Sequence, residues 1–421
     1  MRIFALPAFV LLLGPALYAQ DWPQFRGPDG QGHTSADNLP LAWSSTENVA
    51  WRVAIAGRGW SSPVVGDGRI WLTTATDEGR SLRAVAVDLA SGRQLRDIEV
   101  FRIAEPPTLN AKNSPASPSP VLEGNRLYVH YGTSGTACLD TNSGEVLWKN
   151  QELKLDHKEG PGSSPIIWRD LLIVNCDGTD VQYVAALDKR TGRLVWKTPR
   201  RMPISDTPDY CKAYCTPVVI RAGADNHEEL ISPGASRVIA YDPATGRELW
   251  FVNYEGFSNV PRPIVGHGLV YICTGYMQPQ LWAVEPGGQG DVTAGNVVWK
   301  VPKQVPANPS PVLVGDELYM ISDQGIMSCL NATTGSELWR HRLPGHYSAS
   351  LLAAPGRIYA CNEDGVTSVL ATGREFKLLS SSALDERIMA TPAVVGDALI
   401  VRTAENLYRI EAGAKQTAAV E

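Results

Sequence analysis

The most regular feature of the chain is a phrase in which a Ser-Pro pair or a close relative opens a short apolar run. A polar turn and a second apolar run follow. The phrase stands at 61–73 ("SSPVVGDGRIWLT"), 118–130 ("PSPVLEGNRLYVH"), 163–175 ("SSPIIWRDLLIVN") and 215–232 ("CTPVVIRAGADNHEELIS"), and again at 261–273, 309–321, 348–361 and 390–402. Apolar and β-branched arms around Gly-Asp-Gly or its relatives predict a β-hairpin, with the Pro at the strand start, where a missing N–H is tolerated. A third apolar run then ends in Asp or Asn and a Ser/Thr-Gly turn, as in "CLDTNSG" (138–144), "ALDKRTG" (186–192), "AYDPATG" (240–246) and "CLNATTG" (329–335). The turn leads into a fourth run with a Trp four residues after the Gly: Trp148, Trp196, Trp250, Trp299 and Trp339. One module is therefore four antiparallel strands. Arg96 and Lys377 replace the Trp in two modules, which are expected to pack less tightly at the rim.

Eight hairpins are present, but only seven turns lead into a fourth strand, because the chain ends within eleven residues of "ENLYRI" (405–410). The missing strand lies at the other end, in "ENVAWRVAI" (47–55), whose Trp51 has no preceding Gly turn. The pattern predicts an all-β fold: an eight-bladed β-propeller of four-stranded antiparallel blades, closed by strand 47–55 completing the C-terminal blade. Closure removes the exposed edges of an open array. Modules of about 46 residues each suit propeller blades.

The remaining chain divides simply. Residues 1–19 combine Arg2, a short apolar run and a "LYA" end, the pattern of a cleaved secretory signal. Residues 20–46 form an N-terminal extension in which Trp22 and Phe25 suggest docking, onto the propeller or a neighbour, 47–411 the propeller, and 412–421 a disordered tail. No later apolar run reaches membrane length, so the expectation is a soluble periplasmic or secreted monomer. The formal charge of −6 becomes one unit more negative when Arg2 leaves, and no Lys/Arg block resembles a phosphate-tracking stripe, so nucleic acid is not an expected partner. Seven Cys is an odd number for an exported chain. Cys211 and Cys215 are close enough to bridge, whereas Cys138, Cys176, Cys273, Cys329 and Cys361 sit in strand positions suited to small apolar residues.

The Ser-Pro hairpin followed by D-x-x-T-G-x-x-x-W resembles the blade repeat of the pyrroloquinoline-quinone (PQQ) dehydrogenases, shared with the propeller scaffold of the outer-membrane barrel assembly machinery. The opening "DWPQFRGPDGQG" (21–32) is also similar to exported bacterial PQQ-like propeller proteins. The resemblance implies the propeller over nearly the whole mature chain and leaves two functions open, since one repeat serves enzymes and scaffolds. A quinone enzyme would need PQQ and Ca²⁺ to oxidise an alcohol or sugar. The vicinal Cys pair of many such enzymes is missing here, and no calcium or base residue matches a motif. A non-catalytic module binding a protein or cell-envelope ligand is the expected function, and no cofactor is expected with it.

Catalytic signatures are missing too: there is no G-x-S-x-G, P-loop, dinucleotide-binding glycine pattern or C-x-x-C-H, and "HEELI" (227–231) lacks the second His of a zinc protease. Four antiparallel strands place the regular turns on one face and the irregular blade-to-blade loops on the other, where binding chemistry collects. Candidates on the loop face are Arg58, Trp60, Lys112, Asn113, His157, Tyr210 and Lys212, and further along Tyr214, Asn259, Arg262, Asn308, His346, Tyr347 and Arg387. His267 occupies a turn-face position. Asp177 and Asp180 in "CDGTDVQY" offer a cation two carboxylates, although such a pair in a loop also serves a turn.

Overall fold

Eight sheets stand around one axis, each built on four antiparallel strands, in sequential order in the first seven. The computed structural model describes residues 21–201, 207–223 and 226–415. The leader read at 1–19 and residues 416–421 of the tail lie outside them. Blade 1 runs through Val64–Gly66, Arg69–Thr76, Ser81–Asp88 and Gln94–Arg102, and the next six repeat this plan. The fourth blade gains a short parallel strand, Gly290–Asp291, beyond its edge. The eighth is made of Ala393–Val395, Ala398–Arg402 and Asn406–Glu411, with Val49–Ala54 as its outer strand. No helix among the described residues is long and apolar enough to cross a membrane.

Trp and Gly recur together because they meet across blades. The Trp of one blade lies on the turn Gly of the next: a Cβ added to Gly192 or Gly246 would stand 2.4 or 2.5 Å from a ring atom of Trp148 or Trp196. The same turn needs the positive φ of glycine, +73° at Gly192. Indole N–H groups of Trp148, Trp196, Trp299 and Trp339 donate to carbonyls in the neighbouring turn, at Lys189, Pro243, Ala332 and Gly373. Within the turn the Asp accepts its backbone amides, as Asp188 does from Thr191 at 2.7 Å.

Trp51 occupies the same slot. It pairs with Arg409, two residues before Glu411, as Trp148 pairs with Cys138, two before Asp140. Its ring covers Gly92 of blade 1, and Nε1 donates to Leu89 O at 3.0 Å. Arg96 and Ile98 stand against Gly144 where blade 1 lacks its Trp. Blade 7 has Lys377 instead, and the blade after it has no covalent Gly turn for a Trp to cover.

The N-terminal extension fills the channel. Trp22 pairs with Val65 on the innermost strand of blade 1, and Pro23 O accepts Leu122 N of blade 2. Gln31 Oε1 accepts Val265 N of blade 5, His33 meets Leu313 O of blade 6, and Gly32 O accepts Ala353 N of blade 7. Five of the eight blades thus hold the plug. The chain then leaves along blade 7, where Arg357 donates to Asp37 O and Leu39 O, and delivers strand 49–54 to the rim.

Candidate functional site

With its turn-side half plugged, the channel is a blind bowl of about 1250 Å³. Blade-to-blade linkers and second-to-third-strand loops line it, and Phe25 of the plug lies in its lining. At the start of each blade one residue, followed by Pro in every blade but the seventh, where Leu351 follows Ser350, faces its neighbours around the axis. Seven of these eight positions carry a hydroxyl, at 62, 119, 164, 216, 310, 350 and 391. Each hydroxyl oxygen accepts the amide N–H of the blade before it, at 2.9–3.2 Å, from Ser62 N to Ser119 Oγ round to Thr391 N to Ser62 Oγ. Seven links of a ring result, broken between Thr216 and position 262.

Arg262 explains the break. Read from sequence as a loop-face residue, it is 4% exposed, and its guanidinium donates to Phe25 O of the plug at 3.0 Å. Gly30 passes so close, at φ +68°, that a Cβ there would stand 2.1 Å from Arg262 Nη1. Arg26 is completely buried beside it and donates to Ser310 O at 3.0 Å and Pro311 O at 2.6 Å.

The structure divides the other sequence candidates. Trp60, Lys112, Asn113, Tyr210, Lys212, Tyr214 and Asn308 line the bowl. Tyr210 forms an aromatic wall with Phe257 (centroids 4.6 Å apart), which meets Tyr276 at 5.7 Å; Tyr276 is 57% and Met277 63% exposed. Lys212 pairs with Glu159 at 2.9 Å, and Lys158 with Asp209. Lys112 reaches across to Glu363 of blade 7 at 2.8 Å, and Arg387 takes the other Glu363 oxygen at 2.9 Å. Burial alone would raise the Glu363 carboxyl, but hydrogen bonds from Lys112, Ser348 and Arg387 hold it below its usual range. Arg58 braces the rim by donating to Ala111 O and Asn113 O, and His346 is exposed beyond the bowl.

Three candidates pack the scaffold. Asn259 is fully buried and bonds Tyr254 and Cys273 O; Tyr347 is fully buried and donates to Pro344 O. His157 is buried, accepts Thr133 N–H at Nε2, and offers its carbonyl to Tyr214. Burial pushes its imidazole down to about 4; burial and then His157 push His130 to about 3. Both are therefore neutral in the fold, while an unfolded imidazole titrates near 6.5. Their stabilising contribution is complete above about pH 6.5 and is lost as pH falls toward 4, because the unfolded chain takes up protons first. Urea unfolding should show stability dropping between pH 7 and pH 4.5, with a shallower drop in His157→Gln.

One further expectation is corrected. The Cys211–Cys215 bridge is not formed among the described residues: the buried Cys215 thiol donates to Pro261 O at 3.1 Å, while Cys211 Sγ lies 4.0 Å from Thr207 O. Asp177 and Asp180 are engaged within the protein, in keeping with the turn role weighed for them. Asp177 is buried against Arg200 Nε at 2.6 Å, and Asp180 accepts the amides of Asp156 and Val181. His267 is an exposed turn residue at φ +54°, as read. The hydroxyl ring and the Phe257–Tyr276 wall lie outside the sequence candidates. The Ser or Thr before six of the hairpin-opening prolines was the available signal for the ring.

A PQQ-repeat family described as "Outer membrane protein assembly factor BamB" matches residues 234–415, from the middle of blade 4 to the end of blade 8. Taken with eight repeats folded as eight blades, this settles the class. The chain is a PQQ-like β-propeller repeat protein. This PQQ-like propeller is 22% identical to the outer membrane protein assembly factor BamB of Bordetella pertussis, over 82% of the chain and 84% of that protein. It is 28% identical to the tetrathionate hydrolase of Acidianus ambivalens, but over 27% of the chain, and it spans only 24% of that relative's length. Among solved structures, the quinohemoprotein alcohol dehydrogenase of Comamonas testosteroni superposes with a TM-score of 0.67 at 12% identity, covering 96% of this chain and 82% of that one. At that identity the likeness is one of fold.

The PQQ-like propeller's own residues do not fit a calcium-supported quinone. A calcium ion takes about six to eight oxygen ligands. The bowl's carboxylates are already engaged: Glu159 by Lys212, Asp209 by Lys158, and Asp323 by Ala307 N and the Asn308 amide. No group of three or more His, Cys, Asp or Glu among the described residues could hold a metal ion.

Proposed function

We propose that this propeller is an exported, non-catalytic binding or scaffold module that takes a protein or cell-envelope ligand on its blade-to-blade loop face. The carrying observation is the bowl itself. It is deep, rigidly walled and lined by exposed aromatic rings and amide or hydroxyl groups, while its lining carboxylates are committed to partners within the protein. Such a mixture of apolar platforms and a few placed polar groups suits recognition. Similarity to the assembly factor of Bordetella pertussis supports a binding role, although its partners are not thereby this chain's.

The test is affinity capture from envelope extracts with the purified mature chain. Tyr210→Ala combined with Tyr276→Ala should reduce capture at least tenfold, since aromatic anchors dominate interface energies. His267→Ala, on the opposite face, should leave it unchanged. Loss of capture on altering only the turn face would overturn the assignment.

A further inference from the structure

Resting on the reading of the bowl as the ligand site, we infer that its floor receives an oxyanion: the carboxylate, sulfate or phosphate end of a ligand whose body lies against the Tyr210–Phe257–Tyr276 wall. Two independent observations converge on this. The first is the hydrogen bonding of the ring. Its seven hydroxyls are 1–4% exposed, and all seven line the bowl. A hydroxyl has lone pairs to accept with and one proton to donate. Each oxygen is occupied by a neighbour's amide, and among the described residues no protein acceptor takes the proton. The ring therefore has seven protons to offer, while one of the two lone pairs on each oxygen is already taken. A neutral sugar or amide would present donors as well as acceptors there; an oxyanion presents acceptors alone, and its hydrogen bonds are the stronger kind.

The second observation is charge. Three buried arginines adjoin the ring. Arg262 holds its eighth position, Arg26 donates to Ser310 O, and Arg402 donates to Ser61 O and Ser61 Oγ beside Ser62. None of the three forms an ion pair with a carboxylate among the described residues, and Nε of both Arg26 and Arg262 is buried without a partner. Burial, then repulsion by Arg262, lowers Arg26 to about 9; burial lowers Arg262 to about 10 and Arg402 to about 9. Asp29 acts on Arg26 and Arg262 through space without pairing with either, so three buried cations face one nearby carboxylate; the excess positive charge raises the potential in a low-dielectric cleft, which focuses anions. Higher up, Lys112, Lys212 and Lys303 are matched in number by Glu159, Asp209 and Asp323, so the attraction is concentrated at the floor.

Calorimetric titration of the purified mature protein at low ionic strength tests this, with sodium sulfate and citrate as free anions. A polygalacturonate oligomer supplies an acid group carried on a polymer, and glucose is the neutral control. Saturable binding of at least one anion and none of glucose is expected. Tighter binding of the oligomer than of citrate would place the acid on a polymer, and the reverse order on a small molecule. Thr391→Val or Ser164→Ala should weaken binding about tenfold, and the turn-face Ser91→Ala should not. Because ring substitutions also remove an amide's acceptor, crystals of the unaltered protein soaked in selenate provide a second readout, with an anomalous peak expected at the floor. No saturable anion binding, or selenate found only elsewhere, overturns the inference. A neutral ligand captured through the bowl in a protein that binds no anion would overturn it while sparing the proposed function. Anion binding at the floor with capture indifferent to Tyr210 and Tyr276 would support it and sink that proposal.

Discussion

Trp51→Ala is expected to destabilise the protein by about 3–5 kcal/mol, the usual range for truncating a buried Trp. The residue is 2% exposed, covers Gly92 of the first blade and bonds Leu89 O. Its strand has no covalent turn to the last blade and is paired with it from Val49 opposite Ile410 to Ala54 opposite Asn406. The same indole therefore seals two interfaces: the one within blade 8 and the one between blades 8 and 1. A domain is stable by only about 5–15 kcal/mol, so the loss should be plain as a lower denaturant midpoint. A change below about 1 kcal/mol would show that the ring does not depend on this strand.

Removing Asp21 to His33 should cost at least as much. Trp22 is 2% exposed, and the segment bonds the innermost strands of five blades through backbone and side-chain groups. Without it, Arg262 loses its Phe25 acceptor and the innermost amides of Val65, Leu122 and Ala353 lose theirs. Leaving a buried polar group unpaired costs about 1–3 kcal/mol each. The bowl would also lose the plug beneath its hydroxyl ring and open through to the turn face. Urea unfolding of a chain beginning at residue 34 measures the cost, with Trp22→Ala as a milder companion. Stability within about 0.5 kcal/mol of the full protein would mean that the plug merely rests in the channel.

The blades were legible because Trp and the turn Gly recur at a fixed spacing and because an eighth fourth strand was missing from one end of the chain and present at the other. The physical reason for the pairing was less visible: the two residues serve adjacent blades. The plug carries neither repeat nor alternation. Its anchors are backbone carbonyls and one arginine at a position where seven other blades have Ser or Thr, so Trp22 and Phe25 signalled docking without a destination. Register identified the loop face but not depth. Tyr210 and Lys112 stand at the bowl, whereas Asn259 and Tyr347, at comparable positions, turn into the blades. The ring hydroxyls were legible as a repeat, but their Pro neighbours drew attention to strand starts.

The central claim is that ligands are held by the loop-face bowl. Hydrogen–deuterium exchange on the protein with and without the captured ligand tests it most directly. The account predicts added protection in the linkers 103–118, 207–216, 252–260 and 302–310, around the mouth and wall of the bowl. Protection concentrated in the Asp-Ser/Thr-Gly turns, such as 88–92 and 188–192, with those linkers unchanged, would contradict it.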